Sequence, residues 1–213
     1  MKLYGYFRSS AAFRVRIALH LKQLPYDGAF IHLRRGDQSQ PEFLAVNPQG
    51  LVPALEIDGE RLIQSLPIIE YLDETHPEPP LLPPDAAGRA RVRALAAIVA
   101  CDIHPINNLR VLRYLLRPLG HSEADVATWY NHWIASGFAA LERLLAEDER
   151  TGTFCHGDAP GLADVALVPQ VVNSERYGLD LSPYPTIVRI YAKCMALNAF
   201  AAAHPRQQPD RED

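Results

Sequence analysis

Three short stretches place reactive side chains where the backbone itself can help them. In Arg8-Ser9-Ser10-Ala11-Ala12-Phe13-Arg14-Val15-Arg16, two hydroxyls fall between a strand-like run and a helical one. The first turn of a helix carries unpaired N–H groups and the positive end of its dipole, so an anion is favoured there. A serine O–H aimed at a ligand thiol would stabilise the thiolate, which is the nucleophilic form. The same serines can equally be plain N-caps. In Asn47-Pro48-Gln49-Gly50-Leu51-Val52-Pro53-Ala54, a loop ends in Val52-Pro53 at the start of a strand. Proline has no ladder donor, so it suits a sheet edge, or a cis peptide that turns the N–H and C=O of Val52 outward. Such a pair can hold an extended peptide by strand-like bonds. The third stretch is Gln64-Ser65, at the mouth of a helical run. A carboxylate there would meet a hydroxyl, backbone N–H groups and a helix terminus together. A plain N-cap is again the simpler reading.

The elements that must position these residues follow from periodicity. Lys2 to Tyr6 reads as a strand, Ala11 to Leu21 as a helix and Tyr26 to Leu33 as a strand, a βαβ unit. Pro53 to Ile57 and Arg61 to Ile63 flank Asp58-Gly59, a dipeptide suited to a type I′ hairpin. Ser65 can then cap a helix with Pro67 in its first turn and Ile68, Ile69 and Leu72 on one face. This order predicts a thioredoxin-like module over residues 1–80. A thiolate site, a backbone clamp and a carboxylate site on one such module describe the tripeptide glutathione.

The proline-rich segment His76-Pro-Glu-Pro-Pro-Leu-Leu-Pro-Pro-Asp85 can continue neither helix nor sheet, and it predicts a linker at 81–86. Residues 87–213 have a helical period almost throughout, so the fold class is α/β followed by an all-helical bundle. A long helix is expected from Ala87 to about Leu116, bent or broken at Ile103-His104-Pro105. The polar stretch from Ala203 to Asp213 reads as frayed.

Composition narrows the function. The 213 residues are 48% hydrophobic and 22% charged, as in an ordinary globular protein. A net charge of −4 gives no basic field for nucleic acid or an anionic membrane. Any anionic ligand must be drawn by local arginines. The apolar run Ala94 to Cys101 is too short to span a bilayer, and Met1-Lys2-Leu3 leads straight into a strand-like pattern, so a cytoplasmic location is expected. Cys101, Cys155 and Cys194 lie far apart without a Cys/His cluster, which supports neither a disulfide framework nor a metal site. They read as buried small apolar residues.

Beyond these derivations, the run Arg8-Ser9-Ser10-x-x-x-Arg14-Val15-Arg16-Ile17-Ala18-Leu19 closely resembles the signature of zeta-class glutathione transferases. Asn47-Pro48-x-x-x-Val52-Pro53, Gln64-Ser65-x-x-Ile68-Ile69-Glu70-Tyr71-Leu72 and Val168-Pro169-Gln170-Val171 match the same family at matching separations. The segment Cys101 to Leu112 looks like the bacterial maleylacetoacetate and maleylpyruvate isomerases in particular. The resemblance implies the glutathione transferase fold, glutathione as a cofactor and a homodimer. It places Ser9 and Ser10 beside the glutathione sulfur, Val52 before cis-Pro53 on the cysteinyl backbone, and Gln64 and Ser65 at the γ-glutamyl end. Gln38 and His104 are implied as further contacts. Arg8, Arg110 and Arg176 are the implied ligands of a diacid substrate, and a planar guanidinium suits a carboxylate better than an ammonium does. For Arg14 and Arg16 two readings stand open, service in the site and bracing of a domain interface. The implied activity is cis-trans isomerisation of a maleyl diacid, maleylacetoacetate or maleylpyruvate. Alternatives are conjugation or dehalogenation of small electrophiles such as α-haloacids, and a non-enzymatic interaction module.

The chain departs from the family pattern twice. Ala11 and Ala12 stand where the signature has cysteine and serine, which removes any mechanism needing a protein thiol at position 11. Gly161 stands where a threonine or serine usually caps a helix in a box with Asp164. On capping alone, Gly161→Thr is expected to stabilise the protein.

Overall fold

The computed structural model describes residues 1–212; Asp213, the last residue of the expected helical domain, lies outside the described residues. The chain divides into two compact units, one of Met1–Pro80 with the residues from Met195 onward, the other of Leu81–Cys194.

In the first unit, β1 (Lys2–Gly5) and β2 (Asp27–Phe30) pair in parallel across helix α1 (Ser10–Leu21). The short helix α2 (Pro41–Leu44) precedes the antiparallel pair β3 (Ala54–Ile57) and β4 (Glu60–Ile63). Strand order is β2-β1-β3-β4, with Leu3 opposite Gly28 on one side and Leu55 on the other. Asp58 and Gly59 both take positive φ, 52° and 84°, as a type I′ turn requires. Helix α3 (Ser65–Thr75) follows, burying Ile68, Ile69 and Leu72. The module is thioredoxin-like.

Helix α1 is buried almost all round, which is the mark of a helix enclosed by neighbours. It packs on α3 and on α9 (Asn198–Ala203). The stretch beyond α9, expected to be frayed, is ordered. Gln208 Nε2 donates to the carbonyls of Ala202 and His204, and Arg211 Nη1 donates to that of Arg206. Asp210 Oδ2 accepts the Phe7 N–H at 2.9 Å, and Glu212 Oε1 lies 2.7 Å from His32 Nε2 and 3.2 Å from Arg35. Local polarity misled here, because the polar side chains are spent on backbone and ion-pair partners rather than on water.

The second unit is helical. The proline-rich run enters it with Leu81 and Leu82 buried, so those two leucines are anchors rather than free linker. Asp85 caps α4 (Ala86–Ala97) by accepting from Gly88 N–H at 2.7 Å. The expected long helix is broken: a π-helical turn, Ile98–Ile103, follows α4, and α5 (Leu109–Leu116) starts afresh with Asn108 as its cap. Pro105 cannot donate to the i−4 carbonyl, which accounts for the break. The wider π turn was invisible to a periodicity argument. A Ser122/Asp125 capping box opens α6 (Glu123–Ala146). Then come α7 (Leu162–Arg176), with Pro169 inside it, and α8 (Pro185–Met195). No helix is long and apolar enough to cross a membrane.

The start of α7 corrects the capping expectation. Asp164 is buried, and its carboxylate accepts from Gly161 N–H and Cys155 N–H, both at 2.9 Å. A Cβ at Gly161 would come within 2.8 Å of the Leu81 carbonyl oxygen, which also accepts the Leu162 N–H. Glycine is there for space, and a threonine would collide with backbone. Cys155 and Cys194 are buried as expected, whereas Cys101, in the π turn, is exposed.

Candidate functional site

Ser9 occupies the N-cap of α1, its Oγ accepting from Ala12 N–H at 3.1 Å. Capping uses the lone pairs of the hydroxyl and leaves its proton available to donate, so cap and ligand roles are compatible. Ser10 is the first residue of the helix and is buried. Ala12 is fully buried, and its methyl faces Gly5 of β1.

The Val52–Pro53 peptide is cis, one of the two readings the sequence left open. Val52 lies just outside the ladder, which begins at Ala54 opposite Tyr4. Beside it, Gly50 turns with φ 62°, and a Cβ there would approach the Gln38 carbonyl to 3.0 Å. Gln38 is therefore carried up against the same loop. Its Oε1 is buried with no hydrogen-bond partner among the described residues, an acceptor suited to a ligand N–H.

Gln64 has φ 68° and ψ 126°, outside the regions open to ordinary residues. Such backbone costs about 1–3 kcal/mol and is found at binding and active sites. The side chain donates to Gln49 Oε1 at 2.8 Å, joining the Gln64 turn to the Asn47–Gly50 loop. Ser65 is the first residue of α3 and not its N-cap, contrary to the capping reading. Its Oγ instead accepts from Arg14 Nη1 at 3.2 Å, in a buried contact. Arg14 thus ties the N-termini of α1 and α3 together within the first unit. Sequence reasoning left its role open between site and domain interface.

Arg16 is a second buried guanidinium on α1. It donates to the carbonyls of Ala203 at 3.0 Å, Phe7 at 3.1 Å and Tyr6 at 3.5 Å. Burial lowers its pKa to about 10, and Asp210 opposes that shift. Arg8 leaves the same Tyr6–Ser9 loop with its guanidinium 4.9 Å from the Phe7 ring centre.

The other three expected residues belong to the second unit. His104 directly follows the π turn and donates its N–H to Val99. Arg110 is exposed in the first turn of α5, its N–H held by Asn108 Oδ1 at 3.1 Å. Arg176 closes α7, its guanidinium 4.9 Å from the Tyr177 ring centre, and Tyr177 stacks on Tyr130 at 3.7 Å. Burial raises the Tyr130 pKa well above the ordinary tyrosine value.

Sequence reasoning missed what braces the segments around these groups, namely one turn of α6. Trp129 Nε1 donates to the Ile106 carbonyl at 3.0 Å, and Asn107 Nδ2 donates to that of Tyr130 at 3.0 Å. Asn131 Nδ2 donates to the Tyr177 carbonyl at 3.1 Å. Trp129, Tyr130 and Asn131 so hold both the 104–110 segment and the end of α7. No charge or nucleophile marks them in the sequence. Among the described residues no group of three or more His, Cys, Asp or Glu could hold a metal ion.

A thioredoxin-like unit with a capping serine, a cis-proline loop and a helix mouth, followed in the chain by a helical unit, defines the glutathione transferase fold. Residues 3–80 match the family model described as glutathione S-transferase, N-terminal domain. Over 210 residues the chain is 52% identical to a maleylpyruvate isomerase of a Ralstonia species, covering 99% of each chain. A solved holo maleylpyruvate isomerase, described as a bacterial glutathione S-transferase of the zeta class, superposes with TM-score 0.98 at 51% identity, covering 100% of both chains. A maleylacetoacetate isomerase from Methylobacterium extorquens, solved with malonate and glutathione bound, superposes with TM-score 0.97 at 45% identity, again over 100% of both chains. The chain belongs to the zeta-class glutathione transferase family that includes these maleylpyruvate and maleylacetoacetate isomerases.

Proposed function

We propose that this chain is a glutathione-dependent cis-trans isomerase of maleyl diacids, maleylacetoacetate or maleylpyruvate. One observation carries the reading: Ser9, the Val52 backbone, Gln38 Oε1 and the Gln64-Ser65 turn all belong to one unit, and their chemistry suits a thiol, an extended peptide and a carboxylate. Identity near 50% to isomerases over the whole chain supports the reaction. Bound glutathione supplies a thiolate that adds reversibly to the maleyl double bond, so that the bond can rotate before elimination leaves the trans product.

The chain's own residues do the rest. The Ser9 hydroxyl, still able to donate, and the first-turn N–H groups of α1 lower the cost of a thiolate beside them. Val52 offers its N–H and C=O outside the sheet to the cysteinyl backbone. Ser65, fixed by Arg14, and the Gln64 turn receive the γ-glutamyl carboxylate at the α3 terminus. Arg8, Arg110 and Arg176 are the cations for the substrate carboxylates and for charge gathering on its carbonyl oxygen. His104 is a further glutathione contact. A cytoplasmic homodimer is part of the same proposal, resting on the family resemblance.

Calorimetric titration with glutathione, followed by initial rates on both substrates at saturating glutathione, tests the reading. Binding and turnover of at least one maleyl diacid are expected. Absence of either refutes it.

A further inference from the structure

The Tyr6–Ser9 loop carries two of the residues assigned above, Arg8 and Ser9, and its backbone is gripped from two sides. On the carbonyl side Arg16 holds Tyr6 and Phe7, while Arg16 Nε donates to Ala203 at the end of α9. Tyr6 O also accepts the Ser9 N–H at 2.9 Å. On the N–H side the grip comes from a residue 203 positions away: Asp210 Oδ2 accepts from Phe7 N–H at 2.9 Å. Phe7 lies beyond the end of β1 at Gly5, so no strand supplies that acceptor.

Asp210 is itself held in place. Gln208 donates to Ala202 and His204, bracing the segment on one side. On the other, Glu212 meets His32 and Arg35. The Arg35 N–H donates to His32 Nδ1 at 3.1 Å, which makes Nδ1 the acceptor and puts the ring proton on Nε2, directed at Glu212. The His32 ring also lies edge-on to Tyr6, with centroids 5.3 Å apart. The 205–212 segment therefore clasps the loop before α1 and the segment after β2 together.

We infer that Asp210 is a positioning residue for the reaction: by accepting the Phe7 N–H it fixes the turn that aims Arg8 at the substrate and the Ser9 hydroxyl at the glutathione sulfur. The inference rests on the function proposed above. It identifies a stretch that carries no recognisable catalytic residue as part of the working site, since small displacements of an aligned group are costly in rate.

The test compares Asp210→Ala with Asp210→Asn, which keeps an acceptor oxygen but drops the charge. In the protein without ligands, amide hydrogen exchange at Phe7 should accelerate about ten-fold or more in Asp210→Ala. With substrate, kcat should fall about 10- to 100-fold. The dissociation constant for glutathione, set mainly by Val52, Gln64 and Ser65, should change far less. The kcat–pH profile should move to higher pH, because the serine proton is no longer aimed at the sulfur. Asp210→Asn should restore most of kcat and of the Phe7 protection. A folded Asp210→Ala protein with unchanged kcat and pH profile overturns the inference. So does a loss of activity that only follows the folded fraction across a thermal melt, or an Asp210→Asn protein no better than Asp210→Ala. If the wild type fails to bind glutathione, the proposed function falls and takes the catalytic role with it. If it binds and turns over while the variants behave as wild type, only the role of Asp210 falls.

Discussion

The Ser9 hydroxyl accepts from Ala12 N–H and keeps a proton to give. Ser9→Ala should cost about 1 kcal/mol of stability as a lost N-cap. It should also lower kcat about 10²- to 10³-fold as a lost donor to developing negative charge. Thermal melting and steady-state rates separate the two, and a variant that only melts earlier would assign Ser9 to capping alone. Gly161 gives the opposite lesson about caps. Because a Cβ would press on the Leu81 carbonyl, Gly161→Thr should destabilise by about 1–3 kcal/mol, and a raised melting midpoint would contradict that reading. Capping rules could identify both positions, but the collision at 161 comes from a residue 80 positions earlier. Nothing local encodes it.

At the scale of elements, strands, hairpin and helices of the first unit were legible because each has an undisturbed period and a recognisable stop, Asp58-Gly59 above all. The π turn after α4 was not, since one wider turn leaves the apolar spacing on either side intact. Nor was the ordering of 205–212, whose partners Phe7 and His32 lie at the other end of the chain. The candidate residues were legible in type, while Arg14, which holds Ser65, and Trp129 and Asn131, which hold the neighbouring Ile106 and Tyr177 carbonyls, resemble ordinary helix residues. One further element, the loop between α6 and α7, is knit by Arg91. Its guanidinium donates to Asp148 Oδ2 at 2.8 Å, Thr151 Oγ1 at 2.7 Å and the Cys155 carbonyl at 2.7 Å. Bonds from Arg150, and then from Arg91, hold the Asp148 carboxyl well below the usual carboxylate range. A lowered folded-state pKa means stability that is present above the unfolded value of about 4 and lost as pH falls below it. Asp148→Asn should therefore be less stable than wild type at neutral pH, with the gap closing as the medium is acidified. Urea midpoints at about pH 7 and about pH 3 measure this, and a gap independent of pH would contradict it.

At the scale of the whole molecule, the proposed function draws on residues of both units. The thioredoxin-like unit presents backbone and hydroxyl groups that fit a tripeptide thiol, whatever the second reactant. Under the proposal the helical unit supplies Arg110 and Arg176, cations that a diacid needs and an uncharged electrophile does not. Arg176→Ala should therefore raise KM for a maleyl diacid about ten-fold or more while leaving glutathione affinity unchanged. An equal loss of both would mean that Arg176 acts on the fold. The central claim is catalysis of isomerisation with glutathione returned intact. It is tested most directly by following a maleyl diacid and total free glutathione together by NMR, with substrate in large excess over glutathione. The account predicts complete conversion to the trans diacid with free glutathione undiminished. No conversion, or conversion that stops when glutathione has been consumed into a conjugate, would contradict it.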